Sequence, residues 1–286
     1  MTPLPAGSCD CHTHVFGPYA RFPLSDDRPY TPHEASIEQL NQLHRGLGID
    51  RVVLIQPSPY GVDNSCLVDA LHQLGHRARG VAVVDPDASA SELAQLHAAG
   101  VRGTRVNVAS YGLAEHRAFV DRLRRTAVAV EPYGWHVQLY AQLAELVALA
   151  DELATLPVPV VFDHFAMARA EKGVAQQGLD TVLDLVASGR AYVKLSAPHR
   201  MSTAPDHADA APLARAFLDA DPARVLWGTD WPHTDADGRS PENRLIPRPF
   251  RNEDDTAAIR RLTGWVRSAE ELHQVLADNP RRLYGF

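Results

Sequence analysis

The chain has 286 residues, of which 45% are hydrophobic and 22% are charged, and its formal net charge is −7. These proportions are typical of a globular protein and exclude a largely disordered chain, and the negative charge disfavours nucleic acid or a membrane as a partner. Because the sequence holds neither a basic leader followed by an apolar run nor about 18 consecutive apolar residues, we expect a cytoplasmic protein.

The first predicted strand contains the segment DCHTH, which begins at Asp10. Side chains alternate between the two faces of a strand, so we expect Asp10, His12 and His14 on one face and Cys9 and Cys11 on the other. This arrangement disfavours a structural zinc site that combines the cysteines with the histidines.

Cysteine usage indicates the compartment. The chain has three cysteines, and an odd number disfavours a framework of disulfides. Cys9 and Cys11 are also poorly placed to pair with each other, because they share one face of a strand with no turn between them. We therefore expect free thiols and a reducing environment.

Predicted helices and strands alternate along the rest of the chain. Residues 17–35 contain several prolines and turn formers, which indicate a long loop. Beyond it, short buried apolar runs alternate with apolar residues at helical spacing. The strands are predicted at residues 51–58, 80–85, 101–108, 135–140, 158–164, 191–196 and 224–232, and the helices at 36–48, 64–74, 89–100, 114–130, 143–153, 179–187, 208–218, 255–262 and 269–276.

Eight apolar strands, each followed by a helical segment, predict an α/β fold of the (β/α)8 TIM-barrel type, since each helix covers the outside of a closed parallel sheet. We find no linker or internal repeat, so we expect a single domain over residues 1–286. A doubly wound open sheet is the alternative, but the glycine-rich phosphate turn typical of that fold is missing.

In a barrel the active site forms at the carboxyl ends of the strands. Polar residues close most of the predicted strands, and three histidines with one aspartate among them could form a metal site or carry out acid–base chemistry. The strand-end residues are His12, His14, Gln56, Ser58, Arg105, Asn107, Tyr140, His164, Ser196 and Asp230.

Several motifs together resemble a known family. They are DCHTH at residue 10, QPS at residue 56, GVRGTR at residue 100, WHV at residue 135, DH at residue 163, VKLS at residue 193 and WGTDWPH at residue 227. This set is similar to the amidohydrolase superfamily, and within it to the amidohydrolase-2 branch that includes lactonases of the 2-pyrone-4,6-dicarboxylate and 4-sulfomuconolactone type.

The resemblance implies a distorted TIM barrel that hydrolyses a small carboxylate-bearing lactone in the catabolism of an aromatic or sugar-derived acid. Asp230 would act as the general base for water. His12, His14 and His164 would activate the lactone carbonyl, either directly by hydrogen bonds or through one metal ion.

The resemblance also bears on the metal. Binuclear members use a carbamylated lysine or a glutamate on the fourth strand and a histidine at the tip of the fifth. Here those tips offer Arg105, Asn107 and Tyr140, and His136 lies about 13 Å deeper at about 3.3 Å per residue, so we expect no binuclear site. A mononuclear centre, with zinc held by His12, His14, His164 and Asp230, and a metal-free site both stay open.

Two arginines indicate an anionic substrate. Arg105 and Arg200 would bind a carboxylate, with Tyr140, Ser58, Gln56 and Asn107 forming hydrogen bonds nearby. The pyrone-dicarboxylate enzymes carry a further basic residue shortly after the fourth strand, where this chain reads VASY at residues 108–111. This difference favours another lactone with a single negative charge. The loop at residues 233–253 could close over it or remain a solvated flap.

Three other functions stay open. A metal-dependent decarboxylase of the same superfamily resembles this chain in its histidine pair and its strand-eight aspartate. A lactone isomerase is a near relative that needs no metal. A non-catalytic binding barrel is disfavoured by the presence of Asp230.

Overall fold

The computed structural model describes residues 3–107, 116–235 and 240–286. Eight parallel strands form one sheet in which neighbours in sequence are neighbours in space. The strands are β1 Cys9–Thr13, β2 Arg51–Ile55, β3 Ala78–Ala82, β4 Val101–Asn107, β5 His136–Tyr140, β6 Val160–Phe162, β7 Ala191–Leu195 and β8 Val225–Trp227.

Helices connect and cover the strands. They are α1 Ile37–Leu47, α2 Ser65–Leu74, α3 Ala90–Ala98, α4 His116–Val130, α5 Leu143–Ala148, α6 Ala150–Thr155, α7 Leu179–Ala187, α8 Ala211–Ala220, α9 Asp255–Trp265, α10 Ala269–His273 and α11 Asn279–Tyr284. The single helix predicted at 143–153 is two helices that meet at Leu149. Among the described residues, no helix is both long and apolar enough to cross a membrane.

The sheet closes on itself between β1 and the segment that follows β8. Thr13 and Trp231 form a parallel bridge. The amide of Asp230 donates to His12 O over 2.9 Å, and the amide of His14 donates to Trp231 O over 2.8 Å. The TIM barrel predicted from the sequence is therefore confirmed, and the open-sheet alternative is wrong. The seam of the barrel also places the first-strand histidines beside the strand-eight aspartate.

Two apolar layers stabilise the barrel. The larger one lies between the strands and the helices. The smaller one joins alternate residues of six strands to the C-terminal helix and consists of Cys9, Cys11, Val53, Ile55, Val81, Val161, Tyr192, Leu226 and Tyr284. His136 packs its ring against Tyr284 in this lower region, at 5.2 Å between ring centroids.

The first strand departs from simple alternation. Asp10 pairs with Val52, but Thr13 pairs with Leu54, so β1 has one more residue than β2 over this stretch. Such a β-bulge breaks the alternation of side chains. The expectation that Asp10 shares a face with His12 and His14 is wrong. Asp10 Oδ2 instead lies 3.3 Å from Nε2 of His44 on α1, outside the barrel.

Asp10 also joins the two sides of the seam. Its carboxylate accepts hydrogen bonds from the Thr229 amide and hydroxyl, over 2.9 and 2.6 Å. It accepts another from the His12 amide over 3.2 Å. The Asp10 carboxylate therefore fixes the backbone at His12 and at Thr229, the residue before Asp230.

The long loop after β1 is tied to the loop after β8. Residues Thr31–Pro32 and Pro247–Arg248 pair as two short parallel strands. Thr31 Oγ1 donates to Arg244 O over 2.9 Å, and Arg244 Nη1 donates to Asp26 O over 2.6 Å. These bonds hold the two loops together on the side of the barrel where the strands end.

Candidate active site

Three imidazoles surround one carboxylate oxygen at the carboxyl-terminal end of the barrel. The Nε2 atoms of His12, His14 and His164 lie 3.5, 3.8 and 3.9 Å from Asp230 Oδ1. All four side chains are buried. His12 lies in β1 and His14 follows it, while His164 follows β6 and Asp230 follows β8. Barrel topology therefore brings together residues that lie far apart in the sequence.

The backbone is left-handed at two of these residues. φ is 51° at His164 and 65° at Asp230, and positive values continue through Met167. A non-glycine residue in this region costs on the order of 1–2 kcal/mol. Strain of this kind is concentrated at functional positions, where the surrounding structure holds it in place. Here it coincides with two of the four converging residues.

Hydrogen bonds on the far side of the rings orient the imidazoles. His14 Nδ1 donates to Ile55 O over 2.8 Å, and because a carbonyl oxygen only accepts, the Nε2 lone pair of neutral His14 faces Asp230. His164 Nδ1 lies 2.9 Å from Ser196 Oγ, which can donate or accept. Burial lowers the pKa of His12 and His164, and it lowers that of His14 to about 3. All three rings are therefore neutral at physiological pH.

Asp230 is held as a carboxylate. Burial on its own would raise its pKa, but the Arg200 guanidinium outweighs burial and holds the pKa well below its usual range. Arg200 Nη2 donates to Asp230 Oδ2 over 3.1 Å. Asp230 Oδ1 is buried and has no hydrogen-bond partner within the described residues. One oxygen is thus anchored, and the other faces the imidazoles with its acceptor capacity unused.

A cluster of buried polar side chains contacts His12 on the side of its ring away from Asp230. Asp163 Oδ2 accepts from Gln138 Nε2 over 3.1 Å and from Arg105 Nη2 over 3.4 Å. Lys194 Nζ donates to Gln138 Oε1 over 2.6 Å. Asp163, Gln138 and Lys194 are site residues for which the sequence predicted no role. Gln138 and Lys194 each lie two residues before a predicted site residue, so they share its strand face, and that spacing could have identified them.

Tyr140 lies between the two predicted anion-binding arginines. Its ring centroid is 5.5 Å from Cζ of Arg105 and 6.0 Å from Cζ of Arg200. The ring also meets His164 edge-on, at 5.7 Å between centroids. The two arginines are therefore near the imidazoles, although in this structure one binds Asp163 and the other binds Asp230.

Gln56 and Ser58 line a cavity of about 360 Å³ that Arg105 and Arg122 also line. Gln56 is fully buried, and its Nε2 donates to Asp63 O over 2.7 Å, which holds the loop after β2 in place. The cavity has room for a small ring compound next to Arg105.

Asn107 ends β4, and its side chain lies outside the described part of the structure, as do residues 108–111 and the loop residues 236–239.

The converging groups suit one divalent cation. Ligand atoms of His12, His14 and Asp230 lie within 4.8 Å of one another, as do those of His12, Asp163 and His164. Neutral imidazole nitrogens and carboxylate oxygens are ligands that zinc prefers. His12 Nε2 and Asp230 Oδ1 are buried without hydrogen-bond partners among the described residues, and a cation would satisfy both.

Comparison with known proteins agrees with this geometry. The family model described as amidohydrolase matches residues 9–286. The chain is 38% identical to a 2-pyrone-4,6-dicarboxylate hydrolase of Comamonas testosteroni, over 98% of this chain and 91% of that protein. It is 34% identical to a 4-sulfomuconolactone hydrolase of Hydrogenophaga intermedia, over 99% of this chain and 90% of that protein.

A solved structure shows the same architecture. A probable 2-pyrone-4,6-dicarboxylic acid hydrolase of Acinetobacter baumannii, crystallised with citric acid, superposes with a TM-score of 0.82 at 26% identity. The match covers 98% of this chain and all of the other.

Proposed function

Because this chain belongs to the amidohydrolase family, we propose that it is a lactonase-type hydrolase that opens a small carboxylate-bearing lactone, with Asp230 as the general base. The observation that carries the proposal is the placement of Asp230 Oδ1, which is ionised, unpartnered within the described residues and surrounded by three imidazole edges at 3.5–3.9 Å. The lactone hydrolases among the relatives support the choice of substrate class.

Asp230 moves one proton in each half of the reaction. Its Oδ1 removes a proton from water as the water oxygen attacks the lactone carbonyl carbon. In the collapse of the tetrahedral intermediate, the ring carbon–oxygen bond breaks and the departing oxygen takes the proton back from Asp230. The product is an open-chain hydroxy acid, or its keto tautomer where the lactone is an enol ester, and Asp230 returns to its carboxylate form.

Charge that develops on the carbonyl oxygen is stabilised by imidazoles that present an N–H on Nε2. His12 and His164 can do so, whereas His14 carries its hydrogen on Nδ1. His12, His14 and His164 are fixed by partners on their other nitrogens, so little reorganisation accompanies the reaction. Ser196 orients His164. We assign the carboxylate of the substrate to Arg105 and Arg200, whose planar guanidinium groups match carboxylate geometry.

We place Tyr140 against the lactone ring, and Gln56, Ser58 and Asn107 around it. This arrangement puts the reacting ester between Asp230 and the cavity of about 360 Å³. Such a substrate suits an enzyme that degrades an aromatic or sugar-derived acid.

One divalent ion such as zinc fits the same groups, and the Nε2 atoms of His14, His164 and His12 with Asp230 Oδ1 would hold it. When bound, such an ion polarises the lactone carbonyl or lowers the pKa of water. The arginines would bind the carboxylate of the substrate with or without it.

Acid release from carboxylated and sulfonated lactones, followed with a pH indicator, tests the proposal. Asp230→Asn keeps the shape of the side chain but removes the base, and we expect turnover to fall by at least about 10²–10⁴-fold. Asp184→Asn, on the exposed face of α7, is the matched control and should keep the wild-type rate. A wild-type rate in Asp230→Asn would refute the proposal. An isomerase would release no acid, and a decarboxylase would release carbon dioxide.

A further inference from the structure

A fully buried lysine lies inside the barrel and has no part in the proposed reaction. Lys194 on β7 is one of only two lysines in the chain. An ammonium group is expensive to bury unless partners satisfy its three donors. Gln138 Oε1 at 2.6 Å satisfies one of them, and His12 Nδ1 at 3.4 Å and Asp163 Oδ1 at 3.6 Å are the other neighbours.

Two groups compete for His12 Nδ1. Lys194 Nζ lies 3.4 Å away, and Asp163 Oδ1 lies 3.2 Å away. An ammonium only donates and a carboxylate only accepts, so the two contacts require different tautomers of the ring. With a hydrogen bond from Lys194, His12 carries its hydrogen on Nε2. With a hydrogen bond to Asp163, the hydrogen is on Nδ1 and the Nε2 lone pair faces Asp230.

The geometry distinguishes the two contacts. The Lys194–His12 pair meets the distance and angle of a hydrogen bond. The shorter contact to Asp163 does not, and Asp163 Oδ1 has no hydrogen-bond partner within the described residues. A short distance with poor alignment is a weak hydrogen bond.

We propose that Lys194 is a positioning residue that assigns the hydrogen of His12 to Nε2. His12 then presents an N–H toward Asp230 Oδ1, whereas His14, whose Nδ1 donates to Ile55 O, presents a lone pair. If the proposed function holds, His12 is the imidazole that donates a hydrogen bond to the lactone carbonyl as negative charge develops there.

The same lysine disfavours a metal ion at His12. A cation can bind His12 Nε2 only after the hydrogen moves to Nδ1, from which it would be donated to Asp163. Three cations, Arg105, Arg200 and Lys194, already contact the two carboxylates of Asp163 and Asp230. Removal of the Lys194 charge should therefore strengthen the binding of a divalent ion.

Nitrogen-15 NMR of metal-free, histidine-labelled protein tests the tautomer directly, with the His12 signals assigned by their loss in His12→Gln. We expect the hydrogen on Nε2 in wild type and on Nδ1 in Lys194→Met, which keeps the length of the side chain without its charge. Lys172→Met, at the exposed second lysine, is the matched control and should leave the wild-type tautomer unchanged. A hydrogen on Nδ1 in wild type overturns the proposal, and that measurement needs no variant of Lys194.

Calorimetric titration of the metal-stripped proteins with zinc gives a second readout. Lys194→Met should bind zinc at least about tenfold more tightly than wild type and Lys172→Met, because one positive charge near the ion is removed. Equal or weaker binding in Lys194→Met would contradict the proposal. Neither experiment involves lactone turnover, so failure of the proposed hydrolysis and failure of this inference are distinguishable.

Discussion

Gly228, immediately after β8, is a position where one added methyl group should open the seam of the barrel. A Cβ there would lie 2.6 Å from His12 N, 2.8 Å from His12 Cβ and 3.1 Å from Asp10 Oδ1. The nearest of these atoms is backbone, and the amide of Asp230 donates to the carbonyl of the same residue over 2.9 Å. The seam must therefore widen by roughly half an ångström, because close-packed interiors leave no slack.

We expect Gly228→Ala to lose about 1–3 kcal/mol of unfolding free energy, the usual cost of overpacking. The same shift separates His12 from Asp230, and displacements near 1 Å at reacting groups cost on the order of 10²-fold, so turnover should fall more than about tenfold. Urea unfolding and the pH-indicator assay measure the two effects.

Gly264→Ala is the control for this substitution. Gly264 lies on the exposed side of α9, and a Cβ there meets nothing within 4 Å. In a helix, alanine is favoured over glycine by roughly 0.5–1 kcal/mol, so this variant should be at least as stable as wild type and equally active. Wild-type stability and turnover in Gly228→Ala would refute the claim that the seam sets the geometry of the site.

Three further substitutions test other contacts. Arg200→Lys removes the planar fork, and steady-state kinetics should show KM for a carboxylated lactone rising about 10–100-fold; an unchanged KM would exclude Arg200 from substrate binding. Burial alone would lower the pKa of His233, but the 3.1 Å contact with Asp255 outweighs it and raises the pKa. The stabilisation is therefore present below about pH 6.5 and lost as pH rises through the raised pKa, so the stability lost in Asp255→Asn should be larger at pH 6 than at pH 8.5, and a pH-independent loss would contradict this assignment. Asp10→Asn weakens two hydrogen bonds across the seam, from Thr229, and one from the His12 amide, and should cost about 1–3 kcal/mol in urea unfolding; wild-type stability would show that the carboxylate is dispensable.

Much of the candidate site could be predicted from the sequence, because in a barrel a polar residue at the end of an apolar strand is enough to indicate a site residue. Polar residues at the ends of apolar strands converge whenever the strands are parallel and the sheet closes. This rule identified His12, His14, His164 and Asp230. In the structure the Nε2 atoms of the three histidines lie within 4 Å of Asp230 Oδ1. The chemical roles of these residues remain proposals.

Other features depend on tertiary contacts that leave little trace in the sequence. The bulge in β1 arises from its pairing with β2, so Asp10 faces outward although simple alternation predicts otherwise. The spacing of Lys194 and Gln138 places them on the strand faces of predicted site residues, but it does not show which groups they contact. Only closure of the barrel buries them and pairs them beneath His12.

The contact between Arg200 and Asp230 was also beyond prediction. Arg200 follows β7 in a short turn, Pro198–Arg200. Which carboxylate it meets depends on how that turn packs over the barrel. The structure places its Nη2 on Asp230 Oδ2 at 3.1 Å, so the predicted substrate-binding arginine also anchors the predicted base.

Hydrolysis in oxygen-18 water, followed by mass spectrometry of the product, tests the central claim most directly. If water activated by Asp230 attacks the lactone carbonyl, a single turnover places one oxygen-18 atom in the new carboxylate of the product, and Asp230→Asn forms that labelled product at a rate lower by at least about 10²-fold. A product without label would show that the enzyme rearranges or decarboxylates its substrate, and the proposed hydrolysis would be wrong.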